Sequence, residues 1–382
     1  MKTPVCDFVE EYAGRNPARL HMPGHKGNGP LARLDITEIR GADTLYPARG
    51  ILRESEENAA RLFGSVRTLY SAEGASLCVR AMLTLALLRW REAGNEGRPL
   101  VLAGRNAHKT FLAACALLDM DVEWLYGESL LTCRPTGAEV AARLAVLPQR
   151  PAAVYLTSPD YLGRVAEIAG IAAACHARGI PLLVDNAHGA YLKFLPEDQH
   201  PLTLGADLVC DSAHKTLPAL TGGAWVHVGA GAPAAFSREA ERAMALFAST
   251  SPSYLILQSL DRCVGMLGAG YGERIIETTR RLERTRRRLA DAGWTVADGN
   301  GDPLKVTLAT KAYGYTGDQV HDRLREKNME CEFSDPDDLV MMVTPETPEE
   351  DLARAEAALT AIPRRAPISE GPPAPSRPER AM

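Results

Sequence analysis

Lys215 stands in Asp211-Ser212-Ala213-His214-Lys215-Thr216, a run of small and polar residues that follows a short β-rich stretch, Leu208 to Cys210. A lysine at a strand end is usually an ordinary surface side chain; this one is distinguished by its company. Asp185 closes the apolar run Leu182-Leu183-Val184, and Ser71-Ala72-Glu73-Gly74-Ala75-Ser76 makes a turn between a strand ending near Tyr70 and a helix from Leu77. A lysine amine can add to an aldehyde, and a carboxylate can hold a ring nitrogen protonated by charge pairing. The N–H groups of Gly74, Ala75 and Ser76, at a helix start, can hold a phosphate. Together these are the protein half of a pyridoxal phosphate site, in which the protonated ring is the electron sink for a carbanion left by bond cleavage.

Elements to position these groups are legible on either side of them. Short β-rich runs at Arg67 to Tyr70, Leu100 to Ala103, Val122 to Leu125, Ala153 to Thr157, Pro181 to Asp185, Leu208 to Cys210 and Ala224 to Val228 alternate with helical stretches. Such alternation predicts an α/β fold with a mostly parallel sheet. Ligands of open α/β sheets gather beyond the C-terminal strand ends, where Asp185 falls. Residues 1–50, rich in Gly and Pro, read as an irregular N-terminal arm, and 51–265 as the large α/β domain. Residues 266–362 read as a linking helix and a small α+β C-terminal domain, with strands at Val306 to Leu308 and Leu339 to Val343. The Arg-rich run Arg280 to Arg288, interleaved with acids, reads as a solvated helix face, and the Pro-rich 363–382 as a disordered tail.

Composition narrows the partners. Among 382 residues, 46% hydrophobic and 24% charged is the globular average, and a formal net charge of −5 provides no global attraction to nucleic acid or anionic membrane. No apolar run approaches the roughly 20 residues that span a bilayer, and the start of the chain has no apolar signal region. A cytoplasmic protein with a small-molecule partner is expected. The eight cysteines are scattered singly with no C-x-x-C pair, so neither a metal site nor a disulfide framework is expected.

The chain resembles the major domain of the ornithine/lysine/arginine decarboxylases, which are fold-type I, aspartate aminotransferase-like pyridoxal phosphate enzymes. The resemblance rests on His21-Met-Pro-Gly-His-Lys-Gly27, Arg105-Asn-Ala-His-Lys-Thr110, Val184-Asp-Asn-Ala-His-Gly-Ala190, Asp211-Ser-Ala-His-Lys-Thr-Leu-Pro-Ala-Leu-Thr221 and Ser249-Thr-Ser-Pro-Ser-Tyr254, in the family's order. It implies that Lys215 is the Schiff-base lysine, Asp185 the partner of the pyridinium nitrogen, and His108 the residue stacked on the ring. It places His188 beside the cofactor, and Ala75, Ser76, Ser212 and His214 on the phosphate side. Ser249 falls where a neighbouring subunit's hydroxyl reaches the phosphate, which implies a homodimer with its active site at the subunit interface. The implied reaction is removal of the α-carboxylate of lysine, ornithine or arginine, giving a diamine or agmatine, a step in polyamine synthesis. The chain resembles the short form of the family, without the extra N-terminal wing of large bacterial members.

Departures from the family pattern bear on the substrate. Glu73-Gly74-Ala75-Ser76 replaces Asn-Gly-Thr-Ser, losing a hydroxyl and placing a carboxylate near the phosphate, where an anion disfavours a dianion unless it is engaged elsewhere. Thr221-Gly222-Gly223-Ala224-Trp225 and Thr44-Leu-Tyr-Pro47 also differ. A cationic substrate side chain requires an acid, for which Glu332, Asp335, Asp337 and Asp338 are candidates. The same fold and lysine serve other reactions of the cofactor, such as transamination, another lyase step or decarboxylation of an unusual amino acid, and a non-catalytic homologue is the third alternative.

Overall fold

In the computed structural model, which describes residues 1–127, 129, 131–297 and 301–370, the expected strand–helix alternation is realised. Helices α1 (Pro4–Gly14) and α2 (Ile51–Phe63) lead into β1 (Arg67–Ser71), α3 (Gly74–Glu92), β2 (Leu100–Gly104), α4 (Lys109–Leu117) and β3 (Asp121–Leu125). Then come α5 (Gly137–Val146), β4 (Ala153–Thr157), α6 (Ile168–His176), β5 (Leu182–Asp185), β6 (Leu208–Asp211), the short turn α7 (Ala213–Thr216), β7 (Ala224–Val228) and α8 (Ala234–Ala245). The sheet order is β1-β7-β6-β5-β4-β2-β3. Only β7 runs against its neighbours, β1 and β6, so the C-terminal ends of the other six strands share one edge.

Alternation along the strands feeds two cores. Val101 and Ala103, Ala153 and Tyr155, Leu183, and Leu208 and Cys210 pack with α3, α4 and α8 on one face. Their neighbours Leu102, Val154, Leu156, Leu182, Val184 and Val209 pack with α5 and α6 on the other. Burial on both faces is why these strands read as continuous apolar runs rather than as alternating ones.

The chain continues through α9 (Tyr254–Met266) and α10 (Gly272–Asp291). The two are separated by a kink at Gly270, whose φ of 98° suits a residue without Cβ. A second sheet follows, built from β8 (Thr295–Val296), β9 (Lys305–Ala309), β10 (Phe333–Ser334) and β11 (Asp338–Met342) in the antiparallel order β10-β11-β9-β8. Helices α11 (Gly317–Arg325) and α12 (Glu349–Thr360) complete it. Among the described residues, no helix is long and apolar enough to cross a membrane.

The structure corrects three expectations. The N-terminal segment is not wholly irregular, because α1 forms where the N–H groups of Val5 and Cys6 meet the carboxylate of Asp261, each at 3.0 Å. This cap comes from α9, so no local residue announces it. The Arg-rich face is not wholly solvated, because Arg286 is buried and donates to the carbonyls of Pro303 and Lys305. The expected disorder after residue 363 does not begin there: Arg365 and Ile368 donate their N–H groups to Tyr313 and Lys311 carbonyls at 3.1 and 3.0 Å, while 371–382 lie outside the described residues.

Asp261 also accepts from the Ser55 hydroxyl at 2.5 Å, so one buried carboxylate anchors α1 and α2 to α9. Asp261→Ala should therefore cost about 3 kcal/mol by leaving buried donors without an acceptor. The measurement is the urea unfolding midpoint, and an unchanged midpoint would show that α1 is held by apolar packing alone.

Candidate active site

A cleft of about 450 Å³ opens at the edge where the parallel strands end. Each expected site residue except Ser249 is delivered there by a strand end or the turn after it. Asp185 is the last residue of β5, His188 lies just beyond it, and Lys215 sits on α7 immediately after β6. Gly74, Ala75 and Ser76 open α3, and His108 caps α4. With Ser212 and His214, all of these line the one cleft. Ser249 does not line it; this exposed residue donates its backbone N–H to the Glu73 carboxylate at 2.7 Å.

Asp185 is held from three directions. Its Oδ1 accepts from the Ala187 N–H at 3.2 Å and the Cys210 thiol at 3.5 Å, and its Oδ2 from the Tyr155 hydroxyl at 3.0 Å. A carboxylate offers about four acceptor directions, so one on Oδ2 is left for a donor in the cleft. Tyr155 and Cys210 can make these bonds because parallel pairing puts Thr157 and Cys210 level with Asp185, and the strand period turns Tyr155 to the same face.

Lys215 Nζ lies 3.0 Å from His188 Nε2. Burial lowers the Lys215 pKa against the pull of Asp185 and Glu332, which favours a more nucleophilic amine. His188 is pushed well below its ordinary value by burial and then by the cations Lys305 and Lys215, so its ring is neutral at pH 7. Desolvation also lowers His108 and His214. The His108 ring is fixed by the helix it caps: its Nδ1 accepts the Thr110 N–H at 3.3 Å and lies 3.0 Å from the Thr110 hydroxyl. That hydroxyl is in turn 3.1 Å from the Ser76 hydroxyl.

The phosphate-side turn differs from expectation in one respect. Gly74, at φ 69°, already donates its N–H to the Gly222 carbonyl at 2.7 Å, so Ala75 and Ser76 alone keep helix-start N–H groups for an anion. Glu73, the departure that threatened a dianion, is engaged by Ser249.

Pyridoxal phosphate fits this donor set: an amine for its aldehyde, an open carboxylate direction for its ring nitrogen, and N–H groups at a helix start for its phosphate. Unspent polar atoms point the same way. Asn106 Oδ1, Thr157 Oγ1 and His188 Nδ1 are buried without a hydrogen-bond partner, and all three residues line the cleft. Sequence reasoning missed Tyr155, Cys210, Thr110, Asn106 and Tyr161. Tyr161 packs edge-on to His188 at 5.1 Å and against Phe333 of β10 at 5.3 Å, which brings the second sheet to the mouth of the cleft.

Comparison with known proteins agrees with the cleft. Residues 3–300 match the family model described as Orn/Lys/Arg decarboxylase, major domain. The uncharacterized protein YaaO of Bacillus subtilis is 32% identical over 373 residues, 90% of this chain and 74% of its own length. An arginine decarboxylase of B. subtilis is 28% identical over 393 residues, 94% of this chain and 77% of its own. The Francisella novicida lysine decarboxylase superposes with a TM-score of 0.78 at 17% identity, and the constitutive lysine decarboxylase of E. coli with 0.76 at 19%, each over 94% of this chain. The chain spans only 59% and 60% of those two structures, and at these identities the likeness is one of fold, that of the fold-type I pyridoxal phosphate enzymes.

Tyr155→Phe should leave the fold intact and raise the dissociation constant for pyridoxal phosphate about tenfold, since a hydrogen bond to a charged group contributes roughly 1.5 kcal/mol. Titration of the apo-protein followed by visible absorbance checks this. An unchanged constant would show that Asp185 does not depend on the Tyr155 hydroxyl.

Proposed function

This chain belongs to the Orn/Lys/Arg decarboxylase family of pyridoxal phosphate-dependent decarboxylases, and from that premise we propose that it removes the α-carboxylate of a basic amino acid, releasing carbon dioxide and a diamine or agmatine. The observation that carries the substrate class is an acid beside the cleft. Glu332, next to the Phe333 that packs on Tyr161, does not line the cleft but is near enough to raise the pKa of both Lys215 and Tyr161. A cation on the distal end of an amino acid would find its counter-charge there. The other candidates are engaged otherwise: Asp335 accepts the N–H groups of Asp337 and Asp338, and Asp337 pairs with Lys311 at 2.7 Å. Burial, followed by Asp335 and Asp337, raises Asp338 to about 6.

When bound, the cofactor supplies the sink for the electron pair released at the α-carbon. Lys215 would hold its aldehyde end and could carry a proton to and from the substrate carbon, its Nζ lying 3.0 Å from His188 Nε2. Asp185, kept in place by Tyr155, Cys210 and Ala187, holds a proton on the ring nitrogen by charge pairing. His108 would stack on the ring, and Ala75, Ser76 and Ser212 would hold the phosphate. His214 joins them only when protonated at Nε2, since its Nδ1 is committed to the Gly223 carbonyl at 2.8 Å.

The same reading makes the protein a cytoplasmic homodimer, divided at about residues 50, 265 and 362. Leu20, Met22 and Leu31 are 95%, 55% and 71% exposed on the N-terminal segment, apolar surface that a second subunit would cover. Ser249 would then approach the partner's phosphate.

Carbon dioxide release by cofactor-loaded protein, assayed across lysine, ornithine, arginine and non-basic amino acids, should be confined to a basic amino acid and abolished in Lys215→Ala. Release from none of them despite a visible cofactor band would replace decarboxylation of a basic amino acid with another reaction of the cofactor. Glu332→Gln should raise the KM of the favoured substrate about tenfold or more with a smaller change in kcat. An unchanged KM would remove Glu332 from side-chain recognition.

A further inference from the structure

Lys305 opens β9, and its side chain is 1% exposed. A fully buried ammonium on the second sheet needs a reason, since removing a charge from water costs several kcal/mol unless it is paired and hydrogen-bonded. Its partners are specific. Lys305 Nζ donates to the Asp160 carbonyl at 2.8 Å and lies 3.4 Å from Asp302 Oδ2, whose side chain is equally buried. The other oxygen of Asp302 accepts the Tyr191 hydroxyl and the Leu304 N–H.

Each partner leads back to the cleft. Asp160 precedes Tyr161 in the turn after β4, and both line the cleft. Tyr191 belongs to the turn Ala190–Phe194 that follows His188 after β5. The Lys305–Asp302 pair therefore sits between the two turns that carry Tyr161 and His188, and joins both to β9.

Further ties secure the same junction. Thr307, also on β9, donates to the Leu162 carbonyl at 3.0 Å, and the Asp302 N–H donates to the Gly163 carbonyl at 2.7 Å. The backbones approach so closely that a Cβ on Gly301 would stand 2.1 Å from the Gly163 carbonyl oxygen. Arg286 of α10 supports the far side through the carbonyls of Pro303 and Lys305. β9 pairs with β11, and β11 with β10, the strand that carries Phe333 beside Glu332.

We propose that Lys305 is a positioning residue that, with Asp302, fixes the distance between the cofactor side of the cleft and the acid of the second sheet, and so sets the length of basic side chain the enzyme accepts. The inference rests on the reading of Glu332 as the group that meets the substrate's distal cation. Without the bridge, the turn at 158–164 would no longer be locked to β9. Glu332 could then take a range of distances from Lys215, and congeners differing by one methylene would be discriminated less.

The test uses the cofactor-loaded full chain with Lys305→Met paired with Asp302→Asn, which removes both charges and leaves neither ion buried alone. Thr307→Val serves as a second variant that removes one tie without touching a charge. Backbone hydrogen exchange over 158–164 should quicken about tenfold or more in the double variant and by less in Thr307→Val. KM for the favoured amino acid should rise about tenfold while kcat changes less than about threefold, and the kcat/KM ratio between that substrate and its one-methylene congener should fall several-fold. Unchanged exchange and an unchanged substrate ratio would overturn the proposal, as would a fall in kcat with KM and the ratio preserved. Exchange is read without substrate, so a wild-type enzyme inactive on every basic amino acid would fail the decarboxylase reading while the bridge itself is still judged.

Discussion

Below the cleft, a single buried carboxylate ties together the strand ends on which the site depends. Asp211 accepts from Asn186 Nδ2 at 2.6 Å and from the imidazoles of His200 and His227 at 3.0 and 3.2 Å, with both pairs fully enclosed. Burial alone would raise its pKa; the two histidines more than offset this and hold it below the ordinary carboxylate range. An anion in such a place is stable only while its donors stay in position, so the ends of β5 and β6, the strand β7 and the segment at His200 are fixed relative to one another. His227 passes the constraint to β1 through the Thr68 hydroxyl at 2.7 Å. Asn186 adjoins Asp185, and Asp211 leads directly into the turn bearing Lys215.

Above that anchor, the electrostatics of the cleft come from burial more than from charge. Its three histidines are all lowered by desolvation and serve as neutral donors, acceptors and flat surfaces. The formal charges at the centre are those of Lys215 and Asp185, matched to an aldehyde at one end of a planar cofactor and a ring nitrogen at the other.

The phosphate turn illustrates how a changed residue can be absorbed. Glu73 would oppose a dianion if its carboxylate were uncompensated, yet it accepts the Ser249 N–H and so ties the phosphate side to the segment after α8. The lost hydroxyl at Ala75 is a different matter, since it removes a donor where Gly74 has none to spare.

The strand–helix alternation, the places of Lys215 and Asp185 at strand ends, and the second α+β unit are all legible in the chain, because apolar period, glycine punctuation and short motifs are local properties. Residues that act across strands leave no such mark. Tyr155 reads as one more apolar strand residue until pairing sets β4 beside β5. Asp261 caps a helix far away in sequence, and Lys305 reads as an ordinary charged residue at a strand start until Asp160 and Asp302 close around it. The orientation of Glu73, the occupied N–H of Gly74 and the pairing of Asp337 with Lys311 likewise depend on which backbone meets which. The linear chain therefore carries the chemistry of the site, whereas its distances, its spare hydrogen-bonding directions and its charge balance arise only where segments remote in sequence pack together.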